Sequence, residues 1–117
     1  MLNLRYIVVA VVLIVSPLVV LGGSVVFGRQ RADAHLLFAT HVTEPAKLLR
    51  IVERTVTFTQ EDNKRAIGAI VIDDINHTIG GEASILDGGP TSTYVTLKFK
   101  SMRGQGLDFN VYIYDSP

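Results

Sequence analysis

The stretch TYVTLKFK at residues 93–100 and the stretch LDFNVYIY at residues 107–114 decide the fold of this chain. In both, every second residue is apolar, which is the period of a β-strand with one buried face. The inward positions are Val95, Leu97 and Phe99 in the first stretch and Leu107, Phe109, Val111 and Ile113 in the second. The segment between them, SMRGQG at residues 101–106, contains two glycines. The pattern therefore predicts that these two strands form an antiparallel hairpin.

Further strand signals precede this pair at intervals of about ten residues, separated by turn residues. Residues 66–75 (AIGAIVIDDI) form an apolar run that predicts a central strand buried on both faces. The remaining candidates are residues 34–43, residues 52–59 with Val56 and Phe58 on one face, and residues 82–86 before the turn DGGP; the segment from Lys47 to Val52 is compatible with a helix. The prediction is a mainly β fold, a small antiparallel sheet or β-sandwich, preceded by a cleavable signal helix.

The composition sets limits on function. The 117 residues allow one domain, and the absence of cysteine excludes disulfides and thiolate metal sites. Eleven basic residues balance eleven acidic ones, so the chain has no general excess of positive charge for nucleic acid. We therefore expect no direct binding to nucleic acid.

The first 24 residues have the layout of a secretory signal peptide. One positive charge, Arg5, precedes the apolar run at residues 6–21, and Gly22 and Ser24 are small residues suited to cleavage after Ser24. This predicts a signal peptide at residues 1–24 and a single β-rich domain at residues 25–117, with a cut after Gly28 as a later option. The competing interpretation is an uncleaved membrane anchor, which the length of the run allows. After signal cleavage we expect no membrane partner.

Candidate catalytic and metal-binding residues are few. Asp73 and Asp74 are adjacent on a predicted strand, so their side chains point to opposite faces and cannot share one substrate. His35 and His41 would share a strand face, but no third ligand has matching spacing, and His77 stands alone. The sequence therefore predicts no enzyme activity, no cofactor and no metal site.

Two surface features indicate modification or binding. Asn76-His77-Thr78 is an N-glycosylation sequon in a predicted loop, which makes Asn76 the candidate acceptor. A candidate interaction patch for an acidic partner, alternatively an ordinary solvated sheet face, combines the basic and aromatic residues Tyr94, Lys98, Lys100, Arg103 and Tyr112 on one outward face.

A longer series of motifs carries a family resemblance. Residues 69–73 read AIVID, residues 80–84 read GGEAS, and GGP at residues 88–90 is followed by VTLKFKS at residues 95–101. The series continues with Arg103-Gly104, Gly106, Phe109, Val111 and Ile113-Tyr114, and His35 and Leu48-Leu49 match a weaker N-terminal part. In these residues the chain resembles the arthropod multiprotein bridging factor 2 family, also described as transcription activators.

The resemblance implies two different roles. The family name implies a nuclear coactivator that links a DNA-binding factor to the general transcription machinery without contacting DNA. Yet similar sequences usually carry a signal peptide, and many of them look like secreted proteins of saliva or haemolymph. The leading hypothesis is a secreted, non-enzymatic protein that binds an unknown protein or small ligand. The alternative is the nuclear coactivator, and a hydrolase with a site assembled from scattered residues is the third and weakest hypothesis.

Overall fold

The computed structural model describes residues 18–19, 23–61, 64–76 and 79–117. These residues form eight β-strands and no helix: β1 Leu18–Val19, β2 Gly23–Gly28, β3 Leu36–Glu44, β4 Glu53–Thr59, β5 Ile67–Asp74, β6 Glu82–Gly88, β7 Tyr94–Lys100 and β8 Leu107–Asp115. The predicted mainly β fold is confirmed. The expected signal helix falls largely on residues outside those described.

The strands form two sheets of four strands each. The first sheet has the order β1-β6-β7-β4 and the second has the order β2-β5-β8-β3, and every pair of neighbours is antiparallel. The two sheets pack face to face, because the inward side chains of β7 and β8 belong to one buried cluster. The aromatic rings of Phe99 and Phe109 meet across the interface with centroids 5.5 Å apart. The fold is therefore a small β-sandwich.

The alternation predicted for β7 and β8 is confirmed, but the predicted hairpin is wrong. All seven inward residues are buried. However, β7 pairs with β6 and β4, whereas β8 pairs with β5 and β3. Residues 101–106 therefore cross from one sheet to the other. The hairpin on the β7 side is made with β6, through the turn that begins at Gly89.

Two other local predictions need correction. The segment that was compatible with a helix contains a turn at Leu48 and Leu49, followed by extended chain into β4. A left-handed backbone at Leu49, with φ of 60°, is incompatible with a continuing right-handed helix. Strand β5 is central in its sheet as predicted, but Val71 and Asp73 on its outer face are only half-buried. No helix among the described residues is long and apolar enough to span a membrane.

The strand β2 lies within the sheet, close to the predicted signal cleavage point. It pairs with β5 in continuous register from Gly23 opposite Asp74 to Gly28 opposite Ala69. Val25 and Phe27 pack against the buried core. A chain that begins at Val25 therefore keeps most of this strand, whereas one that begins after Gly28 loses all of it.

Candidate binding groove

The open side of the sandwich is formed by β3 and β4, the edge strands of the two sheets on that side. At one end of this side they are held together by Arg54, whose Nη1 donates to Glu44 Oε1 at 3.2 Å and to the Thr43 carbonyl at 3.4 Å. At the other end the rings of Phe38 and Phe58 stack with centroids 5.1 Å apart. An ion pair therefore bridges the two edge strands at one end of this side, and an aromatic pair bridges them at the other end.

A β-bulge shapes the aromatic end. The pairing of β3 with β8 shifts register between Leu36 and Phe38, so Leu37 is an extra residue in the ladder. Both Leu37 and Phe38 pack against the core, although adjacent residues of a regular strand point to opposite faces. The bulge thus places two apolar side chains at the mouth of the open side instead of one.

A groove with a volume of about 660 Å³ opens beside this aromatic pair. Its volume lies in the range of about 300–1,000 Å³ that small-molecule sites in proteins occupy. Leu37, Phe38 and Phe58 supply the apolar part of its lining. Polar groups complete the lining, contributed by Thr57, Thr59, Gln60, Glu61 and Arg65. The arrangement suits an amphipathic ligand that places an apolar or aromatic group on the phenylalanines and hydrogen-bonds to the polar residues.

Arg65 links this groove to the C-terminal end of β8. Its Nη1 lies 3.7 Å from Asp115 Oδ2, and the Asp115 carboxylate is almost fully buried. The other oxygen of that carboxylate accepts a hydrogen bond from the His35 backbone N–H at 2.7 Å. Because a buried carboxylate needs such partners, Asp115 fixes the chain entering β3 and positions Arg65 at the groove.

The predicted interaction patch is divided by the sandwich. Tyr94, Lys98 and Lys100 share the outer face of the first sheet, but Tyr112 lies on the outer face of the second sheet, on the opposite side of the molecule. Arg103 lies in the connection after β7. The expectation of one shared face is therefore wrong, for the same reason as the hairpin: β7 and β8 belong to different sheets.

The remaining part of the patch is also electrically balanced. Lys98 Nζ lies 3.5 Å from Glu53 Oε2, and Lys100 stands in register between Glu53 on β4 and Glu82 on β6. Opposite charges directly across neighbouring strands stabilise a sheet modestly. The lysines on this face are thus part of the sheet's own cross-strand pairing.

A neighbouring carboxylate changes the acidity of Tyr94. Its hydroxyl donates to Asp87 Oδ1 at 2.9 Å. The hydrogen bond to the Asp87 carboxylate, together with the negative charge of that group, raises the pKa of Tyr94 above its ordinary value of 10.0. The contact ties the turn of the β6–β7 hairpin, because both residues flank it.

The other candidate residues are placed as follows. Asp74 is buried and Asp73 half-buried on opposite faces of β5, as the alternation predicts. His41 Nε2 lies 2.6 Å from Asp108 Oδ1, so His41 joins β3 to β8. His35, which directly precedes β3, has its Nδ1 3.4 Å from Asp115 Oδ2 at the end of β8. Within the described ranges no three His, Cys, Asp or Glu side chains come together as a metal site would require. His77 lies outside the described residues.

The glycosylation candidate Asn76 is exposed immediately after β5. Its carbonyl accepts a hydrogen bond from the Ile79 N–H at 3.2 Å. The other two residues of the sequon, at positions 77 and 78, lie outside those described. The exposure of Asn76 meets the requirement for access by a glycosyltransferase.

The groove was not predicted from the sequence. The alternation of residues 52–59 placed Phe58 on the inward face, but Phe38 and Arg65 had no signal that connects them with it. Adjacent Leu37 and Phe38 in a candidate strand are compatible with a bulge. Phe38, Phe58 and Arg65 come together because β3 and β4 are neighbouring edge strands. The sequence does not show that these two strands are neighbours.

Comparisons with known proteins agree with the sequence motifs. The sequence profile of the family described as "Transcription activator MBF2" matches residues 27–114. The chain is 31% identical over 91 residues to a protein of Bombus ignitus named "Probable salivary secreted peptide", which covers 78% of this chain and 68% of that protein. No solved structure matches the chain.

Proposed function

This chain belongs to the MBF2 transcription activator family, and on that premise we propose that it is a small secreted protein that acts by binding and performs no catalysis. The name of its bumblebee relative supports the secreted location. The apolar leader at residues 6–21 supports it independently, because such a run at the N-terminus directs a chain to the secretory pathway.

The binding part of the proposal is supported by the groove between β3 and β4. A concave site that combines apolar side chains with polar groups able to orient a ligand is the usual form of a small-ligand site. Phe38 and Phe58 offer the aromatic surface, and Arg65 and Thr59 stand among its polar groups. The ligand class that fits is a compact amphipathic molecule or chain segment with an apolar or aromatic group.

A binding experiment tests the groove. The fluorescence of the aromatic probe anilinonaphthalene sulfonate is titrated with the native chain, with Thr59→Glu and with Phe58→Ala. Thr59 is exposed, so a glutamate there obstructs the groove and repels the probe's sulfonate without disturbing the core. We expect probe affinity to fall about tenfold or more in both variants, an effect of the size caused by losing one good apolar contact.

Tyr112→Ala is the matched control for this experiment. It removes a half-buried aromatic ring from the outer face of the second sheet, away from the groove. Equal probe affinity in the native chain and all three variants, with unchanged thermal unfolding midpoints, would exclude the groove as the binding site.

A second candidate function is a nuclear coactivator, which the family description favours. Cell fractionation distinguishes it from secretion. The full-length chain with a C-terminal tag is expressed in animal cells, and the medium and nuclei are assayed. Tagged protein in the medium, shortened by about two dozen residues, agrees with secretion. An uncleaved chain concentrated in nuclei would support the coactivator and contradict secretion, whatever the groove binds.

A further inference from the structure

The connection from β3 to β4 presents apolar side chains directly to solvent. Leu48 and Leu49 are the most exposed large apolar residues among those described, at 87% and 70%. Ile51 and Met102 beside them are 39% and 44% exposed. We name residues 47–51 and 102–103 the leucine tip. Single exposed apolar residues are common on protein surfaces, but four on two connections that hydrogen-bond to each other form a patch that indicates an interaction site.

Hydrogen bonds of the backbone hold the leucine tip in a defined conformation. The Arg50 N–H donates to the Lys47 carbonyl at 3.0 Å, which closes the turn. The adjoining β7–β8 connection holds it from the other side: Arg103 Nη1 donates to the Leu49 carbonyl at 3.0 Å, and the Gly104 N–H donates to the Arg50 carbonyl at 2.7 Å. The fold therefore fixes these leucines in an outward orientation.

Leu49 also has a strained backbone. Its φ of 60° lies in the left-handed region, which residues with a side chain rarely adopt. Glycine or asparagine would occupy that position with less strain. Backbone strain of this kind persists where surrounding contacts impose it, and it concentrates at functional segments. Here it holds an apolar side chain in water, a position that contributes nothing to the core.

Positive charge surrounds the exposed apolar residues. Lys47, Arg50 and Arg103 all belong to the leucine tip. The nearest carboxylates along the chain are engaged elsewhere, since Glu44 pairs with Arg54 and Glu53 pairs with Lys98. The whole chain has a formal net charge of zero, so this excess of cations is local.

We propose that the leucine tip docks the protein on the surface of an anionic lipid bilayer. Leu48, Leu49 and Met102 would enter the boundary between headgroups and acyl chains, and Lys47, Arg50 and Arg103 would lie at the anionic headgroups. Long basic side chains can remain at the polar surface while their methylene groups follow the apolar residues inward. This differs from the expectation, drawn from the sequence, that the mature chain has no membrane partner.

A lipid surface suits the geometry better than an acidic protein does. Leu48 and Leu49 are largely exposed on a short turn beside three cations, and apolar side chains combined with Lys and Arg are the combination that binds anionic lipid surfaces. The core of a protein interface, by contrast, is depleted of charged residues. The groove lies at the other end of β3 and β4, beside Phe38 and Phe58. A chain docked through its leucine tip would therefore keep the groove open to solution.

Vesicle co-sedimentation tests the proposal. The protein is purified in the form that expressing cells yield, its N-terminus is sequenced and N-glycans are removed, so that all variants share one leader state. Vesicles of phosphatidylcholine alone are compared with vesicles that also contain phosphatidylserine, at low and at physiological salt. We expect binding to the phosphatidylserine vesicles that weakens as salt rises, because surface charges are screened.

Two variants address the two parts of the leucine tip. Leu48→Ser with Leu49→Ser removes the apolar insertion, and Lys47→Glu with Arg50→Glu reverses the charge. Each is expected to lower vesicle affinity about tenfold or more. Leu86→Ser is the control for an exposed leucine elsewhere, and Arg31→Glu is the control for a cation at the far end of the sandwich. Both controls should bind vesicles as the native chain does.

Three outcomes would overturn the proposal. The first is equal sedimentation of the leucine-tip variants and the native chain. The second is equal loss of binding in the control variants. The third is binding of an acidic peptide such as polyglutamate through the leucine tip, without any binding to vesicles. Since the residues changed are exposed, matching thermal unfolding midpoints will show that the fold is intact.

Discussion

Single side chains in the centre of the sandwich determine whether the two sheets can associate. The inward residues of β7 and β8 are buried, and the rings of Phe99 and Phe109 contact each other across the sheets. The core contains no disulfide, because the chain has no cysteine. Its stability therefore depends on apolar burial and on the packing of a small number of large side chains.

A charge introduced at Val95 is expected to prevent folding. Val95 is fully buried, and Val95→Asp places a carboxylate without a partner in the core, which costs more than about 4 kcal/mol. A small domain has about 5–15 kcal/mol of stability in total. Circular dichroism and thermal unfolding of the purified variant are the measurements.

Lys98→Glu is the control for this change, because Lys98 lies on the outer face of the same strand. It removes the contact with Glu53 and should cost no more than about 1 kcal/mol. A cooperatively folded Val95→Asp chain, or an unfolded Lys98→Glu chain, would contradict the assignment of the two faces.

The hydrogen bond between Tyr94 and Asp87 predicts a dependence on alkaline pH. Since the neighbouring carboxylate raises the pKa of Tyr94 in the folded chain above 10.0, folding favours the protonated phenol. The contribution of this contact is fully present below the unfolded value and is lost as the pH rises through the raised pKa. Ultraviolet titration at the tyrosinate band should show one tyrosine that ionises late. In Asp87→Asn that late ionisation should move to lower pH, and an unchanged titration curve would show that Asp87 is not its cause.

At the scale of strands and turns, glycines at defined positions allow the connections to form. Gly88 ends β6 with φ of 68°, and a Cβ added there would lie 2.2 Å from the Tyr94 carbonyl oxygen. Gly104, in the connection from β7 to β8, has φ of 78°, but the nearest atom to an added Cβ is the Leu49 nitrogen at 3.9 Å. Both glycines have a left-handed backbone, which an L-residue rarely adopts, but they differ in the space available for a Cβ atom.

This pair predicts two different costs for the same substitution. Gly104→Ala should lower the free energy of unfolding by about 1–2 kcal/mol, the cost of a left-handed backbone for an L-residue. Gly88→Ala should cost at least twice as much, because the β6–β7 turn must also move away from the added methyl group. Urea unfolding measures both variants. Equal losses of unfolding free energy would mean that the β6–β7 turn can move away from a methyl group at Gly88 at no measurable cost.

The sequence could predict which face each strand buries but not which strand it joins. Alternation assigned the inward residues of β7 and β8 correctly, because a two-residue period depends only on the strand itself. Pairing depends on the path of the connection, and residues 101–106 fit a turn within one sheet as well as a crossing between two. The segment that contains Leu48 and Leu49 was compatible with a helix. The two leucines lie in an exposed turn, and apolar residues in such a turn give no periodic pattern from which the turn could be predicted.

For the whole molecule, the position of β2 connects the fold with the processing of the N-terminus. Val25 and Phe27 pack on the core and pair with Ile72 and Ile70 of β5. Loss of this strand would expose β5 as a sheet edge. The fold therefore favours a mature chain that still contains residues 25–28.

Two shortened chains test this boundary. The chain of residues 25–117 should fold, and the chain of residues 29–117 should be less stable by about 2–4 kcal/mol, the apolar burial that two partly buried side chains contribute. Chemical unfolding of both is the measurement, and N-terminal sequencing of cell-derived protein is the companion observation. Equal stability of the two chains would show that β2 is dispensable.

The candidate sites differ in how far a sequence can reveal them. The sequon at Asn76 consists of three consecutive residues, so the sequence alone reveals it. The groove needs Phe38, Phe58 and Arg65 to meet, and these residues lie on three segments that only the folded sandwich brings together. The patch proposed from Tyr94 and Tyr112 was wrong as one surface, since equal alternation in two strands does not place them in one sheet.

The absence of cysteine from the core has a consequence for where the protein can fold. Reducing and oxidising compartments differ in their effect on thiols, and this chain has none to respond. The same sandwich should therefore assemble in a bacterial cytoplasm, in the endoplasmic reticulum or in a nucleus. On the proposal of a secreted protein, the destination is then set by the leader at residues 6–21 and is independent of the folding of the sandwich.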